Sequence, residues 1–251
     1  MKKLLYIFIL LTFSVNLSGK SIISTDNILK NFSEKKALED SKKGNIEAQF
    51  KLGIYYSRMK RFDLAEKYLK LAADKNHVES QQNLGMIYYY IQKKIDLAEK
   101  YWKLASDKGN LDAKLLLGML FYNNKSDYSA AENIWKSILD DNSAPHRLIS
   151  ETQNNLGTLY FYKLKNYDLA EKYWLLATDN KNLDAQFNLG YLYYKQYRIF
   201  LTEDYWKMAA DRGHLEAQLK LGHLYLDNKR YPQAEKYLQM AIKQGNKEAQ
   251  N

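Results

Sequence analysis

The stretch Ala98–Gly118 reads AEKYWKLASDKGNLDAKLLLG, and the chain nearly repeats it at Ala170–Gly190 as AEKYWLLATDNKNLDAQFNLG. Self-similarity of this kind indicates a repeat protein, in which each copy forms one small structural unit. The fold therefore has to be derived from the repeat, and from what its recurring positions have in common.

Six Leu-Gly pairs mark the copies. Their glycines are 32, 33, 39, 33 and 32 residues apart, and an aromatic residue follows each glycine by three positions. An alanine, or once a threonine, stands 12 or 13 positions after the glycine, and bulky residues follow it by three and four. Spacings of 3, 4 and 7 place side chains on one face of an α-helix. The glycines are Gly53, Gly85, Gly118, Gly157, Gly190 and Gly222, and the alanine position holds Ala65, Ala98, Ala131, Ala170, Thr202 and Ala234.

Each copy is predicted to form two helices. Helix A surrounds the Leu-Gly pair, for example over residues 46–58, and helix B surrounds the alanine, for example over residues 63–75. A glycine inside a helix costs about 1 kcal/mol relative to alanine. Its recurrence therefore predicts that backbones approach there too closely for a side chain. A single helix pair cannot bury its apolar face, so the pairs are expected to stack into a solenoid.

The copies share the motif A-x2-Y-W-x2-A-[AS]-x2-G-x3-A, which residues 98–113 fit and residues 202–217 repeat with threonine in first place. This motif resembles the Sel1-like repeat (SLR) family, a branch of the tetratricopeptide-type helical repeats, over about residues 27–251. The Gly-Val loop of typical SLR units is absent, and so is the proline that often ends a tetratricopeptide unit. The predicted fold class is all-α: an αα-solenoid, a right-handed superhelix of about six helix-turn-helix repeats of 32–33 residues.

Residues 1–19 are predicted to be a cleaved secretory signal peptide. Two lysines precede an apolar-to-neutral run from Leu4 to Phe13, and the small residues Ser18 and Gly19 follow. The run is shorter than the ~20 residues that span a bilayer. The protein is therefore predicted to be exported, to the periplasm or out of the cell, with no membrane span after signal cleavage.

The rest of the chain is predicted to hold the repeats. Residues 20–45 form an N-terminal capping half-repeat, with a lone helix B over residues 27–43, and residues 46–251 form the six repeats. The segment DDNSAPHRLI at residues 140–149 is an insertion between the third and fourth copies, interpreted as a simple loop. The sequence stops where a seventh helix A would begin, so the uncovered end around Leu238 is a candidate surface for self-association.

Composition excludes several classes of function. The chain has no cysteine, which excludes disulfides, thiolate nucleophiles and Cys-ligated metals. The net charge is +9, and removing residues 1–19 with their two lysines lowers it to +7. Lysines are interspersed with Asp and Glu, as expected for solvated helix faces, so nucleic acid is not predicted as a partner.

Little in the sequence suggests chemistry. Metalloprotease, phosphate-binding, dinucleotide and nucleophile-elbow motifs are absent. The four histidines are scattered, and His77 and His214 share a repeat position interpreted as a surface loop. A glutamate recurs once per copy, which the first turn of helix B explains. No catalytic, cofactor-binding or metal-binding residue is predicted, and the protein is not expected to be an enzyme.

The resemblance to tetratricopeptide proteins implies a binding groove, lined by the A helices on the concave side. Carried onto this sequence, the groove is a series of aromatic residues with amides between them. Three further rings, Tyr88, Tyr160 and Tyr193, are predicted to lie in the core. For the groove rings, exposure and burial stay open alternatives. The predicted groove residues are Tyr89, Tyr90, Tyr122, Asn154, Asn155, Phe161, Tyr162, Phe187, Tyr191 and Tyr194.

The predicted function is a non-catalytic scaffold that binds a peptide or protein in this groove, with no cofactor. Resemblance to secreted bacterial SLR proteins implies a role in the cell envelope or in contact with a host cell. Two alternatives stand beside it. One is a cell-wall or β-lactam hydrolase of SLR type, although the cysteine-rich frameworks of that group are missing. The other is a structural element that self-assembles through its C-terminal end.

Overall fold

The computed structural model describes residues 25–246, and within that range every regular element is a helix. The predicted signal peptide, residues 1–19, lies outside the described residues, as do residues 247–251. The chain divides into two compact units, one ending at Ser126 and the other beginning at Asp127.

Unit 1 contains a short N-terminal pair of helices and then the first repeats. In each repeat, helix A and helix B are consecutive, and two of the A helices end in a π-helical turn. The elements are α1 (Thr25–Ile28), α2 (Glu34–Lys42), α3 (Ile46–Arg58), α4 (Phe62–Ala73), α5 (Val78–Met86), π1 (Ile87–Gln92), α6 (Ile95–Ser106), α7 (Leu111–Leu120) and π2 (Phe121–Lys125).

Unit 2 begins with helix B of the third repeat and continues through the sixth. Its elements are α8 (Tyr128–Leu139), α9 (His146–Leu159), π3 (Tyr160–Leu164), α10 (Tyr167–Asp179), α11 (Leu183–Lys195), α12 (Ile199–Ala210), α13 (Leu215–Asp227) and α14 (Tyr231–Lys243). The predicted helix A over residues 46–58 is confirmed by α3. The all-α fold built from helix-turn-helix repeats is confirmed as well.

From α2 onward, consecutive helices of the same unit pack against each other. The recurring small residue of helix B lies at these contacts: Ala65 and Ala98 in unit 1, and Ala170, Thr202 and Ala234 in unit 2, are fully buried. A small side chain allows the neighbouring helix to approach, and the larger rings fill the layer around it. Tyr88, Tyr160 and Tyr193 are buried, as predicted.

Every helix A except α9, which follows Pro145, begins at a side-chain cap. Asn45 Oδ1 accepts the backbone N–H of Ala48 at 2.8 Å, and Asn110 and Asn182 occupy the same position in later repeats. His214 Nδ1 takes this role by accepting the N–H of Ala217 at 3.0 Å. The recurring histidines lie in the loop after helix B, as interpreted, and there they also satisfy backbone donors that a helix start would otherwise leave unpaired.

The predicted lone helix over residues 27–43 is wrong in one respect: it is two helices. Asn31 has a left-handed backbone with φ of 57°, and Ser33 then caps α2 by accepting the N–H of Lys36 at 3.4 Å. A serine side chain that competes for backbone donors favours a helix start over helix continuation.

The insertion at residues 140–149 divides into a loop and a helix extension. The loop covers residues 140–145, where Asp141 Oδ1 accepts the N–H of Ser143 at 2.8 Å, and His146 opens α9. Among residues 25–246, no helix combines the length and apolar content needed to cross a lipid bilayer.

Candidate functional site

The recurring glycine of helix A lies against a large side chain of helix B. In place of the Gly85 hydrogen, a methyl group would lie 2.5 Å from Cδ1 of Trp102, and at Gly157 it would lie 2.6 Å from Cδ1 of Trp174. At Gly53 the nearest atoms are those of the Leu69 side chain. The predicted crowding is confirmed, and its main cause is a side chain of helix B; the predicted backbone approach contributes at Gly53, where a methyl group would lie 3.2 Å from the Leu69 backbone nitrogen.

The tryptophans are also fixed by hydrogen bonds. The indole N–H of Trp102 donates to the carbonyl of Gln82 at 3.1 Å, and that of Trp174 donates to the carbonyl of Asn154 at 3.3 Å. In the fifth repeat, Trp206 donates to the carbonyl of Phe187 at 3.1 Å. The acceptor is always three residues before the glycine. In repeats 4 and 5 the acceptor, Asn154 or Phe187, is itself a predicted groove residue, so the indole is bonded to the backbone that carries it.

The recurring glutamate of helix B accepts a hydrogen bond from the buried tyrosine of the next helix A. The phenol of Tyr88 donates to Glu66 at 3.0 Å, and the phenol of Tyr193 donates to Glu171 at 2.6 Å. The same bond joins Tyr56 to Glu34, Tyr160 to Glu132 and Tyr225 to Glu203. The earlier explanation by helix position alone missed this link. Its signal is a Glu and a Tyr 22 residues apart, lengthened to 28 by the insertion.

These contacts change the acidity of the phenols. Burial, and then the hydrogen bond to Glu132, raise the pKa of Tyr160 to about 12. Burial and Glu34 raise the pKa of Tyr56 to about 12 in the same way. Burial alone would raise the pKa of Glu132, but hydrogen bonds from Lys136 and Tyr160 lower it. The neutral phenol and the ionised carboxylate stabilise each other, as expected for a charge-assisted hydrogen bond.

One repeat lacks the phenol and compensates for it. The third repeat has Phe121 in place of the tyrosine, and Lys125 contacts Glu99 at 2.9 Å and Asp96 at 3.2 Å. These contacts raise the pKa of Lys125, chiefly through its hydrogen bond to Glu99. The carboxylate at this position is therefore paired even where the phenol is missing.

The A helices end in two ways, and the spacing of the repeat decides which. Where the alanine follows the glycine by 13 residues, as in repeats 2, 3 and 4, the helix ends in a π turn. Where the spacing is 12, it ends as an α-helix. The carbonyl of Tyr160 accepts from the N–H of Asn166 at 2.9 Å, whereas that of Tyr193 accepts from Arg198, one residue closer, at 2.9 Å. The π turn therefore holds the extra residue.

In unit 1, three predicted groove residues lie on the π turns. Tyr89, Tyr90 and Tyr122 are half-buried, and the phenol of Tyr89 donates to Asn124 Oδ1 at 2.7 Å. Burial, and then the neighbouring Tyr89, raise the pKa of Tyr90 to about 12. A cavity of about 70 Å³ opens here, lined by Tyr89, Tyr90, Trp102, Leu116, Met119 and Asn123.

In unit 2, the structure brings Phe161, Tyr162 and Tyr191 together. The ring centroids of Phe161 and Tyr162 are 4.7 Å apart, and those of Phe161 and Tyr191 are 6.0 Å apart. Phe161 is only 8% exposed and packs on Trp174, while Tyr162 is 44% exposed. Burial, and then Tyr191, raise the pKa of Tyr162. Phe161 therefore forms the base of this surface and Tyr162 its exposed part.

The remaining predicted residues of unit 2 have separate neighbours. Asn188 donates to Asn154 Oδ1 at 3.0 Å, and Asn155 is half-buried beside this pair. The ring of Phe187 stacks on His214 with centroids 4.9 Å apart. Tyr194 is 42% exposed and lies 5.5 Å from the ring of Trp206.

In each unit, the predicted groove side chains are aromatic rings or amides. Within residues 25–246, no group of three or more His, Asp or Glu side chains is arranged to hold a metal ion. The chemistry that these side chains offer is stacking, apolar contact and hydrogen bonding to amides.

Comparison with known proteins supports the repeat assignment. No curated protein matches the sequence. Similar solved structures include a protective antigen of uropathogenic Escherichia coli that displays an SLR fold, at 20% identity and a TM-score of 0.66 over 87% of this chain. This chain spans 50% of the length of that protein. A Sel1 repeat protein from Oxalobacter formigenes has 21% identity and a TM-score of 0.61, with 84% of this chain and 99% of that one covered.

A further similar structure is PilF of Pseudomonas aeruginosa, at 18% identity and a TM-score of 0.65, which covers 86% of this chain and 96% of the other. At these identities the likeness concerns the fold. The Sel1 repeat model matches five segments that together make up more than half of the chain: residues 46–77, 78–110, 150–182, 183–199 and 215–246. The protein is thus a member of the Sel1 repeat family.

Proposed function

We propose that this protein is a non-catalytic scaffold that binds a peptide segment of another protein on its A-helix surfaces. The Sel1/tetratricopeptide-like fold supports the general role, since stacked helix pairs present extended binding surfaces. We further propose that the protein acts after export, in the cell envelope or outside the cell, on the basis of the signal-peptide pattern in residues 1–19.

The exposure of Tyr162 and Tyr194 carries the proposal. Two tyrosines that are 44% and 42% exposed stand on the A helices of successive repeats, above rings that fix their positions. Tyrosine is a favourable recognition residue because it buries a large area at a small cost in side-chain entropy. Asn155 is half-buried on helix A of the fourth repeat, and an amide can donate to and accept from the backbone of an extended peptide.

The cavity of unit 1 supports the same chemistry. Its lining combines three rings, two aliphatic side chains and one amide, which suits a small apolar side chain of a ligand. A hydrolase site would require convergent titratable groups such as carboxylates or histidines. None of the six lining residues is a carboxylate or a histidine, so the cavity favours binding over hydrolysis.

Self-assembly through the last helix has less support. Leu238 is half-buried, and it lies under Gly222 and beside Leu219 and Ala241. It occupies the place that tryptophan takes in other repeats, so its apolar surface is largely used inside unit 2.

A peptide selection tests the proposal. The immobilised full chain would be used to select binders from a random peptide library, and the affinity of the best peptide would be measured by fluorescence polarisation. We expect the double variant Tyr162→Ala/Tyr194→Ala to bind at least tenfold more weakly, with its circular dichroism unchanged. The matched control is Tyr197→Ala, which removes an even more exposed tyrosine from another edge of unit 2. Equal binding by the double variant and the wild type would contradict the groove.

A further inference from the structure

The fifth repeat exposes two aromatic rings at the turn between its two helices, where the other repeats have none so exposed. Tyr197 and Phe200, at the turn between α11 and α12, are each 89% exposed. No other large apolar side chain among residues 27–246 reaches that value. Large apolar groups so fully in water are rarely neutral features of a surface when they occur together.

At both positions, the residue types found in other repeats suit the local backbone better. Tyr197 has a left-handed backbone with φ of 60°, a conformation that is uncommon for an aromatic residue. The other repeats place a lysine or serine there: Lys60, Lys93, Ser126, Lys165 and Lys229. Phe200 stands in the first turn of α12, where three sister helices have an aspartate that suits the helix dipole: Asp63, Asp96 and Asp168. The match to the Sel1 repeat model also stops at residue 199.

The neighbouring turns extend this surface into a row. We call residues 163–168, 195–200 and 227–231 the turn edge of unit 2. Arg198 lies 3.9 Å from Glu171 of α10, and Arg230 lies 2.6 Å from Glu203 of α12, so consecutive turns are adjacent. The flanking turns add three more exposed apolar side chains, Leu164, Tyr167 and Tyr231, and the exposed Leu226 directly precedes the third segment.

The turn edge is also basic. Its three segments contain six Lys or Arg residues and two aspartates, which gives a net charge of +4. Counting the two helix glutamates that contact Arg198 and Arg230 still leaves +2. The corresponding turns of unit 1 have basic residues as well, but Met59 is their one exposed large apolar side chain in the described residues.

We propose that the turn edge of unit 2 binds the surface of an anionic phospholipid bilayer. Tyr197 and Phe200 enter the boundary between headgroups and acyl chains, and the lysines and arginines contact the phosphates. Exposed rings flanked by basic residues are typical of segments that lie at such an interface. The rings project from turns in a row, a geometry that fits a broad surface, whereas a protein partner would need a separate pocket for each ring.

A label next to the rings tests this. Because the chain has no cysteine, Gln196→Cys introduces a single attachment point for an environment-sensitive fluorophore and leaves both rings in place. The matched control is Met59→Cys, the corresponding turn position of the first repeat. Each labelled full chain would be mixed with vesicles of phosphatidylcholine alone or with 30% phosphatidylglycerol. The apolar N-terminal run is present in both proteins, so it affects both equally.

We expect the label at residue 196 to shift to the blue with anionic vesicles, and the label at residue 59 to stay unchanged. Adding Tyr197→Ser and Phe200→Ser should weaken the vesicle affinity reported by the label at least tenfold, and raised salt should weaken it further. No shift at residue 196, or the same shift at residue 59, would overturn the proposal. A shift that survives the double substitution would overturn the role of the two rings. A protein ligand that the double substitution abolishes, without any vesicle response, would assign the edge to a protein partner instead.

Discussion

Repeats 4 and 5 of unit 2 share the recurring Leu-Gly, Tyr and Tyr-Trp positions but place their groove rings differently. In repeat 4, helix A ends in π3, the ring four residues after the glycine is buried, and the next ring is exposed. In repeat 5, helix A ends as an α-helix, and the ring four residues after the glycine is itself exposed. The repeats differ by one residue in the spacing that follows the glycine. A single residue of loop length therefore accompanies a change in which side chain is available to a ligand.

The largest expected effect is the difference in stability between the variants Phe161→Ala and Tyr194→Ala. Phe161 is buried between Trp174 and Tyr191, so we expect its removal to lower the free energy of unfolding by about 3–5 kcal/mol. Tyr194 is exposed and lies on one face of Trp206, so its loss should cost about 1 kcal/mol. Urea unfolding followed by circular dichroism measures both. Equal losses would show that the two rings have the same environment.

The phenol–carboxylate link should be the same in both repeats. Removing its hydroxyl with Tyr160→Phe or Tyr193→Phe deletes a hydrogen bond to a charged acceptor, which we expect to cost about 1.5–3 kcal/mol in each case. The third repeat already has a phenylalanine, Phe121, at this position, and there Lys125 pairs with Glu99 instead. A much smaller loss in only one variant would show that the π turn changes this link.

The same link predicts the alkaline stability. An unfolded tyrosine titrates near pH 10, whereas the pKa of folded Tyr56 and Tyr160 is about 12. Between these values the unfolded chain has lost protons that the folded chain retains, so stability falls as pH rises from 10 to 12. Below pH 10 this contribution is fully present. Melting curves at a series of pH values should show a shallower fall for Tyr160→Phe than for the wild type.

The next prediction concerns the sign of the change in the free energy of unfolding when a helical glycine is replaced. Replacing a helical glycine by alanine in open space stabilises a helix by about 1 kcal/mol. At Gly157 the new methyl would meet the indole of Trp174, so we expect Gly157→Ala to destabilise the protein by about 1–3 kcal/mol. Adding Gly157→Ala to a Trp174→Ala background should instead stabilise it. The same sign in both backgrounds would contradict the role given to the indole.

The smallest change in stability is expected from deleting Lys163. This deletion gives repeat 4 the spacing of repeat 5, and we expect π3 to become an α-helical end at a cost of about 1 kcal/mol, part of it from the lost contact of Lys163 with the ring of Tyr128. The control Lys163→Ala removes the same side chain and should keep the π turn. A crystal structure of each variant decides, and a π turn that persists after the deletion would refute the spacing rule.

The repeat pattern predicts most of the fold, because the helical spacing of Leu-Gly, Tyr and Ala directly reports which faces are buried. It predicts the burial of Tyr160 and Tyr193 for the same reason. Exposure of the groove rings was not predictable, since Phe161 and Tyr194 share a register but differ in how their helices end and in the rings that pack on them. The link between Tyr88 and Glu66 joins two repeats, and a pattern read one repeat at a time does not contain it.

The π turns also show how a repeat can accommodate one extra residue. One added residue inside an α-helix would rotate every later side chain by about 100° and spoil the contacts of the following copies. Here the surplus residue is contained within one turn, and the next helix starts from the same tyrosine carbonyl as in the shorter copies. Copies of unequal length can then be joined in one array, and their surfaces differ while the packing of the helices is retained.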